Sequence, residues 1–208
     1  MGLAGKRILI RGGSIAAGVG VPRGYADILR ERYAPLGVEV VNRSRPGETS
    51  FDAVETFVAD IETHRPDILV VHFGIDDAFS SVYRSEFKEN LVRIVRLARR
   101  RLSAAVVLPT SHLLPDPHER AAVDVYYRTI REVAADLACE MVPVHTAWAG
   151  WLAEHGLAHS AFLQADTRLP DEEGHGRYAA FLAVRLDRLL WPAPVPRRPE
   201  PRPDWHET

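Results

Sequence analysis

The chain has 208 residues, 46% of them hydrophobic, which suffices for one domain with a sizeable core but is short for two. Its formal net charge is -2, so charge favours neither nucleic acid nor an anionic membrane as a partner. The single cysteine excludes an internal disulfide and a cysteine-based zinc site, and without an apolar signal segment or membrane span we expect a cytoplasmic protein.

Strand and helix patterns alternate along the chain, which is typical of a parallel sheet covered on both faces. Five apolar runs predict strands, at residues 6–12, 38–44, 67–74, 104–110 and 141–147. The predicted helical segments are 14–37, where a loop leads into a helix that ends at Gly37, then 50–66, 85–102, 118–139 and 171–190. We expect Ser50 or Asp52 to cap the helix over 50–66, and Asp171 to cap the last helix.

The end of the chain differs from the rest in composition. Residues 191–208 are rich in proline and poor in aliphatic side chains, so we expect a disordered tail after a single domain over 1–190. Among the 26 basic residues only Lys6 and Lys88 are lysine, which suggests a GC-rich bacterial genome.

Ligands of open parallel sheets bind beyond the carboxyl ends of the strands. The residues that follow the predicted strands are Ser14, Ser44 to Gly47, Gly74 to Asp77, and Thr110 to His112. Ser14 follows two glycines and opens a helix, so it is a nucleophile, a helix N-cap or the relic of a former nucleophile. The function of the chain depends on which of these it is.

Four sequence blocks resemble, in the right order, the motifs of the SGNH hydrolases, also called the GDSL esterase and lipase family. They are ILIRGGSIAAG, VVNRSRPGETS, VVHFGIDDAF and DTRLPDEEGHGRYAA, within a resemblance that covers about residues 6–190. The resemblance implies a three-layer α/β/α fold with a flavodoxin-like five-stranded parallel sheet. It also implies acyl-ester chemistry on a small-molecule substrate, without a cofactor or a metal; the oligomeric state stays open.

The resemblance assigns roles to individual positions. Ser14 matches the nucleophile, Gly47 the oxyanion glycine and Asp166 the triad aspartate, and Gly74 and Asp77 match the third block. We therefore expect Ser14, Gly47 and Gly74 to contribute to the oxyanion or substrate site.

Three positions depart from the family pattern. The triad histidine position is Leu169, the oxyanion asparagine position is Asp76, and the aspartate before the nucleophile is Gly13. Leucine accepts no proton, and an ionised aspartate repels a developing oxyanion. Both changes act against ordinary ester hydrolysis.

Other histidines offer substitutes for the missing base. A shifted register of the last block would pair Glu172 or Asp171 with His175, although the first register fits the helix start better. His112 follows the fourth strand and is a candidate substrate contact. Four side chains could form a cationic rim for an anionic substrate: Arg11, Arg45, His112 and Arg168.

Three functions fit these residues. The favoured one is an atypical hydrolase or acyltransferase in which Ser14 is activated by His175, His112 or Asp76. The second is a repurposed enzyme of lyase, cyclase or isomerase type, in which Asp76 and Asp166 converge and at least one has a raised pKa. The third is a non-catalytic binding module.

Overall fold

The computed structural model describes residues 3–80 and 82–191, in which five strands form one parallel sheet. The strands are β1 (Arg7–Gly12), β2 (Glu39–Asn42), β3 (Ile68–His72), β4 (Ala105–Pro109) and β5 (Glu140–Val142). Their order in the sheet is β2-β1-β3-β4-β5, the flavodoxin-like arrangement. The predicted fold class is therefore confirmed, whereas the predicted tail beyond Trp191 lies outside the described residues.

Helices cover the sheet in two groups. The described helices are α1 (Ser14–Ala17), α2 (Tyr25–Tyr33), α3 (Ser50–Glu55), α4 (Phe57–Asp60), α5 (Ile75–Ala78), α6 (Arg84–Leu102), α7 (Pro117–Asp136), α8 (Val144–Glu154) and α9 (Glu172–Leu190). Helix α2 packs against α9, whereas α3 packs against α6 and α6 against α7. Within the described ranges, every helix is too short or too polar to cross a lipid bilayer.

The segment predicted as one helix over 50–66 is broken at Thr56. Helices α3 and α4 lie on either side of Thr56, and a single 3-10 turn follows α4. The Thr56 hydroxyl donates to the carbonyl of Asp52 at 2.8 Å. Thr49, rather than Ser50 or Asp52, is the N-cap residue, and its N–H donates to the Asp52 carboxylate at 2.7 Å. The predicted cap was therefore wrong, because Asp52 acts from the third helical position.

Helix α8 was missed because the run 141–147 was interpreted as strand. The strand ends at Val142, and the buried side chains of Val144, Trp148 and Leu152 then recur at intervals of four, as in a helix. By contrast, the predicted cap of α9 is confirmed, since the carboxylate of Asp171 accepts the N–H of Gly174 at 2.8 Å.

Three buried histidines lie in the core beneath the carboxyl edge of the sheet. The Tyr25 hydroxyl and Nδ1 of His72 share a hydrogen bond of 3.0 Å, and the backbone N–H of Tyr25 donates to Nδ1 of His175 at 3.2 Å. Nε2 of His112 donates to the carbonyl of Thr167 at 3.0 Å. Burial lowers the pKa of His72 to about 3 and the pKa values of His112 and His175 to about 4.

These shifts predict an acid-sensitive fold. Unfolded histidines take up protons near pH 6.5, whereas the three buried ones stay neutral until about pH 3–4, so the unfolded chain binds more protons in that interval. The free energy of unfolding should therefore be highest above pH 6.5 and fall steadily towards pH 4. Urea denaturation at a series of pH values measures it. His112→Phe should reduce the slope, whereas removing the exposed imidazole of His118 with His118→Gln should not; equal slopes in all three proteins would contradict the prediction.

Candidate active site

A cleft of about 290 Å³ opens beyond the carboxyl ends of β1 and β3. Its lining comes from four separate parts of the chain and comprises Ser14, Gly47, Ile75, Asp76, Phe79, Ser80, Asp166, Arg168 and Leu169. The predicted nucleophile, oxyanion glycine and triad aspartate positions thus meet in one place. Leu169 shares the cleft with them.

The Ser14 side chain is held between a carboxylate and a backbone donor. Its hydroxyl donates to Oδ1 of Asp76 at 2.5 Å, and the N–H of Gly47 donates to the Ser14 Oγ at 2.9 Å. The backbone N–H of Ser14 donates to Oδ2 of the same carboxylate at 2.9 Å. Gly13 occupies the N-cap position of α1 and Ser14 makes no side-chain cap bond, so the helix-cap interpretation of Ser14 is wrong.

Gly13 allows this arrangement by having no side chain. A Cβ at this position would lie 2.1 Å from Oδ2 of Asp76 and 2.5 Å from the carbonyl oxygen of Glu48. Only glycine therefore lets the Asp76 carboxylate reach the N–H of Ser14. The departures at positions 13 and 76 are sterically linked.

Asp76 is a perturbed carboxyl group. Burial raises its pKa, although the hydrogen bonds from the Ser14 hydroxyl and N–H act in the opposite direction. Asp76 lies in the single turn of α5, and Asp77 fixes the start of that turn by accepting the N–H of Gly74 at 2.9 Å. Gly74 adopts a φ of 127° and is buried away from the cleft, so the structure corrects its expected contact with substrate.

Asp166 lies in the cleft, where its carboxylate forms an ion pair with Arg168. Its two oxygens accept Nε and a terminal nitrogen of Arg168, both at 2.9 Å, and the Arg168 guanidinium lies 5.2 Å from the centre of the Phe79 ring. The hydrogen bond from Arg168 lowers the pKa of Asp166. Of the two carboxyl groups expected to converge, only Asp76 has a raised pKa.

The structure places neither candidate histidine where it could accept the proton of Ser14. His175 and His112 are buried in the core, and no histidine is among the cleft-lining residues in the described part of the chain. Of the four side chains of the expected cationic rim, Arg168 alone is among those lining residues.

The apolar wall of the cleft was not predicted from the sequence. Ile75 is the first residue of α5 and Phe79 follows its last residue, so the two lie four positions apart with Asp76 between them, and Ser80 comes next. The four-residue helix was too short to be predicted by periodicity, so this spacing carried no signal.

A buried ionic cluster supports the loop that carries Gly47. Arg11 is 0% exposed and donates to the carboxylate of Glu48 and, at 3.1 Å, to the hydroxyl of Thr56. The buried carboxylate of Asp60 accepts two hydrogen bonds from Arg45, at 2.7 and 2.8 Å. Residues on both sides of Gly47 are thereby anchored to β1 and α4.

Solved structures define the class to which this fold belongs. A catalytic mutant of Axe2, an acetylxylan esterase from Geobacillus stearothermophilus, is similar with a TM-score of 0.78 at 21% identity, covering 95% of this chain and 99% of that one. LAE5, an alpha/beta hydrolase from the metagenome of Lake Arreo, gives a TM-score of 0.77 at 24% identity, over 89% and 97% of the two chains. The fold is the α/β/α fold of the SGNH hydrolases.

Sequence comparison gives the family. Residues 11–178 match the GDSL-like Lipase/Acylhydrolase family, and the chain belongs to it. Esterase TesA of Pseudomonas aeruginosa is 27% identical over 144 residues, covering 67% of this chain and 71% of that protein. An arylesterase of Vibrio mimicus is 22% identical over 191 residues, 90% and 91% of the two chains. The predicted resemblance is confirmed, and family membership supports an ester-hydrolysing enzyme.

Proposed function

We propose that this chain is an acyl-ester hydrolase or acyltransferase in which Asp76, rather than a histidine, accepts the proton of Ser14. The observation that carries the proposal is the 2.5 Å hydrogen bond from the Ser14 hydroxyl to Oδ1 of Asp76. A nucleophile and a proton acceptor within hydrogen-bond reach are the first requirement for activating a serine. Leu169 then stands in place of the triad histidine.

Acylation transfers the proton of Ser14 and replaces the bond between the acyl carbon and the leaving group by a bond to the Ser14 Oγ. The Ser14 Oγ bonds to the acyl carbon, its proton passes to Oδ1 of Asp76, and the carbonyl oxygen becomes an oxyanion. The N–H of Gly47, which donates to Oγ at 2.9 Å in the resting site, is positioned to donate to that oxyanion. The intermediate then expels the leaving group and leaves the acyl group on Ser14.

Proton transfer also removes the electrostatic objection to an aspartate at position 76. An ionised carboxylate would repel the oxyanion, but Asp76 is neutral once it holds the serine proton. A protonated carboxyl can donate a hydrogen bond, so the same side chain is a base before attack and a donor afterwards. Burial raises the pKa of Asp76 and so makes it a stronger base than an exposed aspartate.

Deacylation repeats the exchange with water. Asp76 releases its proton to solvent after the leaving group departs, and its carboxylate then accepts a proton from a water molecule that attacks the acyl carbon. Ser14 recovers a proton from Asp76 as the acid product leaves. An alcohol in place of the water would make the reaction an acyl transfer.

Acid–base chemistry shared by Asp76 and Asp166 has less support. Arg168 binds both oxygens of Asp166 and lowers its pKa, so this carboxyl group is a poor proton acceptor and is ionised at neutral pH. The contacts of Asp76 with Ser14 favour a serine-dependent reaction instead.

The test is whether Ser14 carries the acyl group. Incubation with 4-nitrophenyl acetate, acid quenching and intact-mass measurement should show one acetyl adduct on the wild-type protein, together with release of nitrophenol. Ser14→Ala should lose both signals. Ser85→Ala, which removes an exposed serine outside the cleft, should keep both. A folded wild-type protein with neither turnover nor adduct would instead support a non-catalytic binding module.

A further inference from the structure

We propose that this site accepts acyl donors whose leaving group departs as a stable anion, namely thioesters and aryl esters, and discriminates against alkyl esters. The inference rests on the proposed function, because it concerns the second half of the acylation step. It follows from where the one mobile proton lies after Ser14 has attacked.

That proton is held on the oxyanion side of the serine. The N–H of Gly47 donates to Oγ, and such a backbone donor marks where the developing oxyanion binds. Asp76 contacts the same Oγ through Oδ1 and accepts the N–H of Ser14 through Oδ2. A proton received by Asp76 therefore lies beside the carbonyl oxygen rather than beside the leaving group.

The rest of the described lining supplies no acidic group that could protonate the leaving group. Ile75, Phe79 and Leu169 carry no exchangeable side-chain proton, and the Ser80 hydroxyl is a weak acid that already donates to the carbonyl of Asp77 at 3.2 Å. The Arg168 guanidinium keeps its protons, since the hydrogen bond to Asp166 raises its pKa, and Asp166 is the ionised partner of that pair. A histidine at position 169 would have filled this gap, because imidazole both accepts and donates protons near neutral pH.

The leaving group must then depart unprotonated. When the tetrahedral intermediate collapses, the bond from the acyl carbon to the leaving atom breaks and its electron pair goes with the leaving group as an anion. Thiols and phenols have pKa values of about 8.5 and 10, against about 15.7 for water, which simple alcohols resemble. Thiolates and phenolates can therefore leave without help, whereas alkoxides cannot. The apolar Phe79 and Leu169 also suit an aryl or thioether group.

The experiment is a leaving-group series at constant acyl group. Acetates of 4-nitrophenol, phenol, thiophenol, trifluoroethanol and ethanol are compared by kcat/KM, which reports the steps up to departure of the leaving group. We expect kcat/KM to fall about fivefold or more for each unit rise in leaving-group pKa. Leu169→His should flatten this dependence by raising the rates of the alkyl esters, whereas Leu169→Gln, which adds polarity without a titrating group, should not.

The outcomes separate this inference from the proposed function. Ser14-dependent turnover in which ethyl acetate reacts within a few-fold of phenyl acetate would overturn the inference and leave the proposed function standing. Absence of Ser14-dependent turnover for every ester would overturn both. The wild-type series is decisive by itself if the variants at position 169 fail to fold.

Discussion

Asp76→Ala is expected to lower kcat/KM for aryl ester turnover by about 10²- to 10⁴-fold, the usual contribution of a positioned general base. The variant removes the acceptor of the Ser14 hydroxyl hydrogen bond and adds no new side-chain donor or acceptor. Steady-state kinetics with 4-nitrophenyl acetate measures the loss, and circular dichroism verifies that the variant is folded. A loss of less than threefold would show that another group deprotonates Ser14.

Asp76→Asn provides the sharper comparison because it makes two opposing changes. It removes the base, but it adds an amide donor of the kind worth about 10²–10³ in an oxyanion hole. We expect activity above that of Asp76→Ala and below that of the wild type. Higher activity than the wild type would mean that the Asp76 carboxylate obstructs the reaction, contrary to the proposed function.

Arg11→Met is expected to have the largest effect on stability. The substitution leaves the Glu48 and Asp60 carboxylates, the latter 1% exposed, without a fully buried cation that contacts both. Removing one partner of a buried ion pair costs about 3–5 kcal/mol of unfolding free energy where it leaves a charge uncompensated. Arg45 still contacts both carboxylates in the variant, so we expect a loss at the lower end of this range, about 3 kcal/mol. Urea denaturation measures the change.

Arg43→Met is the matched control for that measurement. Arg43 also contacts Asp60, at 3.2 Å, but its side chain is 41% exposed, and exposed pairs contribute about 0–1 kcal/mol. Similar losses of unfolding free energy in the two variants would show that burial of Arg11 is unimportant to the cluster.

The sequence predicted the fold because the relevant signals are local. Five apolar runs alternate with helical periodicity, and the segments that follow the strands carry residues that meet in the cleft, including Ser14, Gly47 and Asp76. The helix break at Thr56 had no local signal, because it depends on a hydroxyl that serves both its own helix and Arg11. Helix α8 has helical spacing in the sequence, but it was missed because it begins one residue after a three-residue strand and its first residues were interpreted as part of that strand.

The position of the site could be predicted from the sequence, but the hydrogen bonds between its residues could not. The hydrogen bonds from Ser14 to Asp76 join residues 62 positions apart, and the space for them depends on a glycine whose neighbours come from two other segments. The sequence positions of the candidate histidines were misleading for a similar reason. His112 and His175 lie near strand and helix ends in the sequence, yet their rings point into the core, where burial keeps them neutral.

The most direct test of Asp76 as the base is the pH dependence of Ser14 phosphonylation. A fluorophosphonate reacts with an activated serine, and its rate constant can be followed by intact mass at each pH where the protein is folded. The proposal predicts a rate that rises with pH as Asp76 ionises, with a midpoint above that of an ordinary aspartate because burial raises this pKa, and the loss of that rise in Asp76→Asn. The same rise persisting unchanged in Asp76→Asn would contradict it and assign the proton of Ser14 to another group.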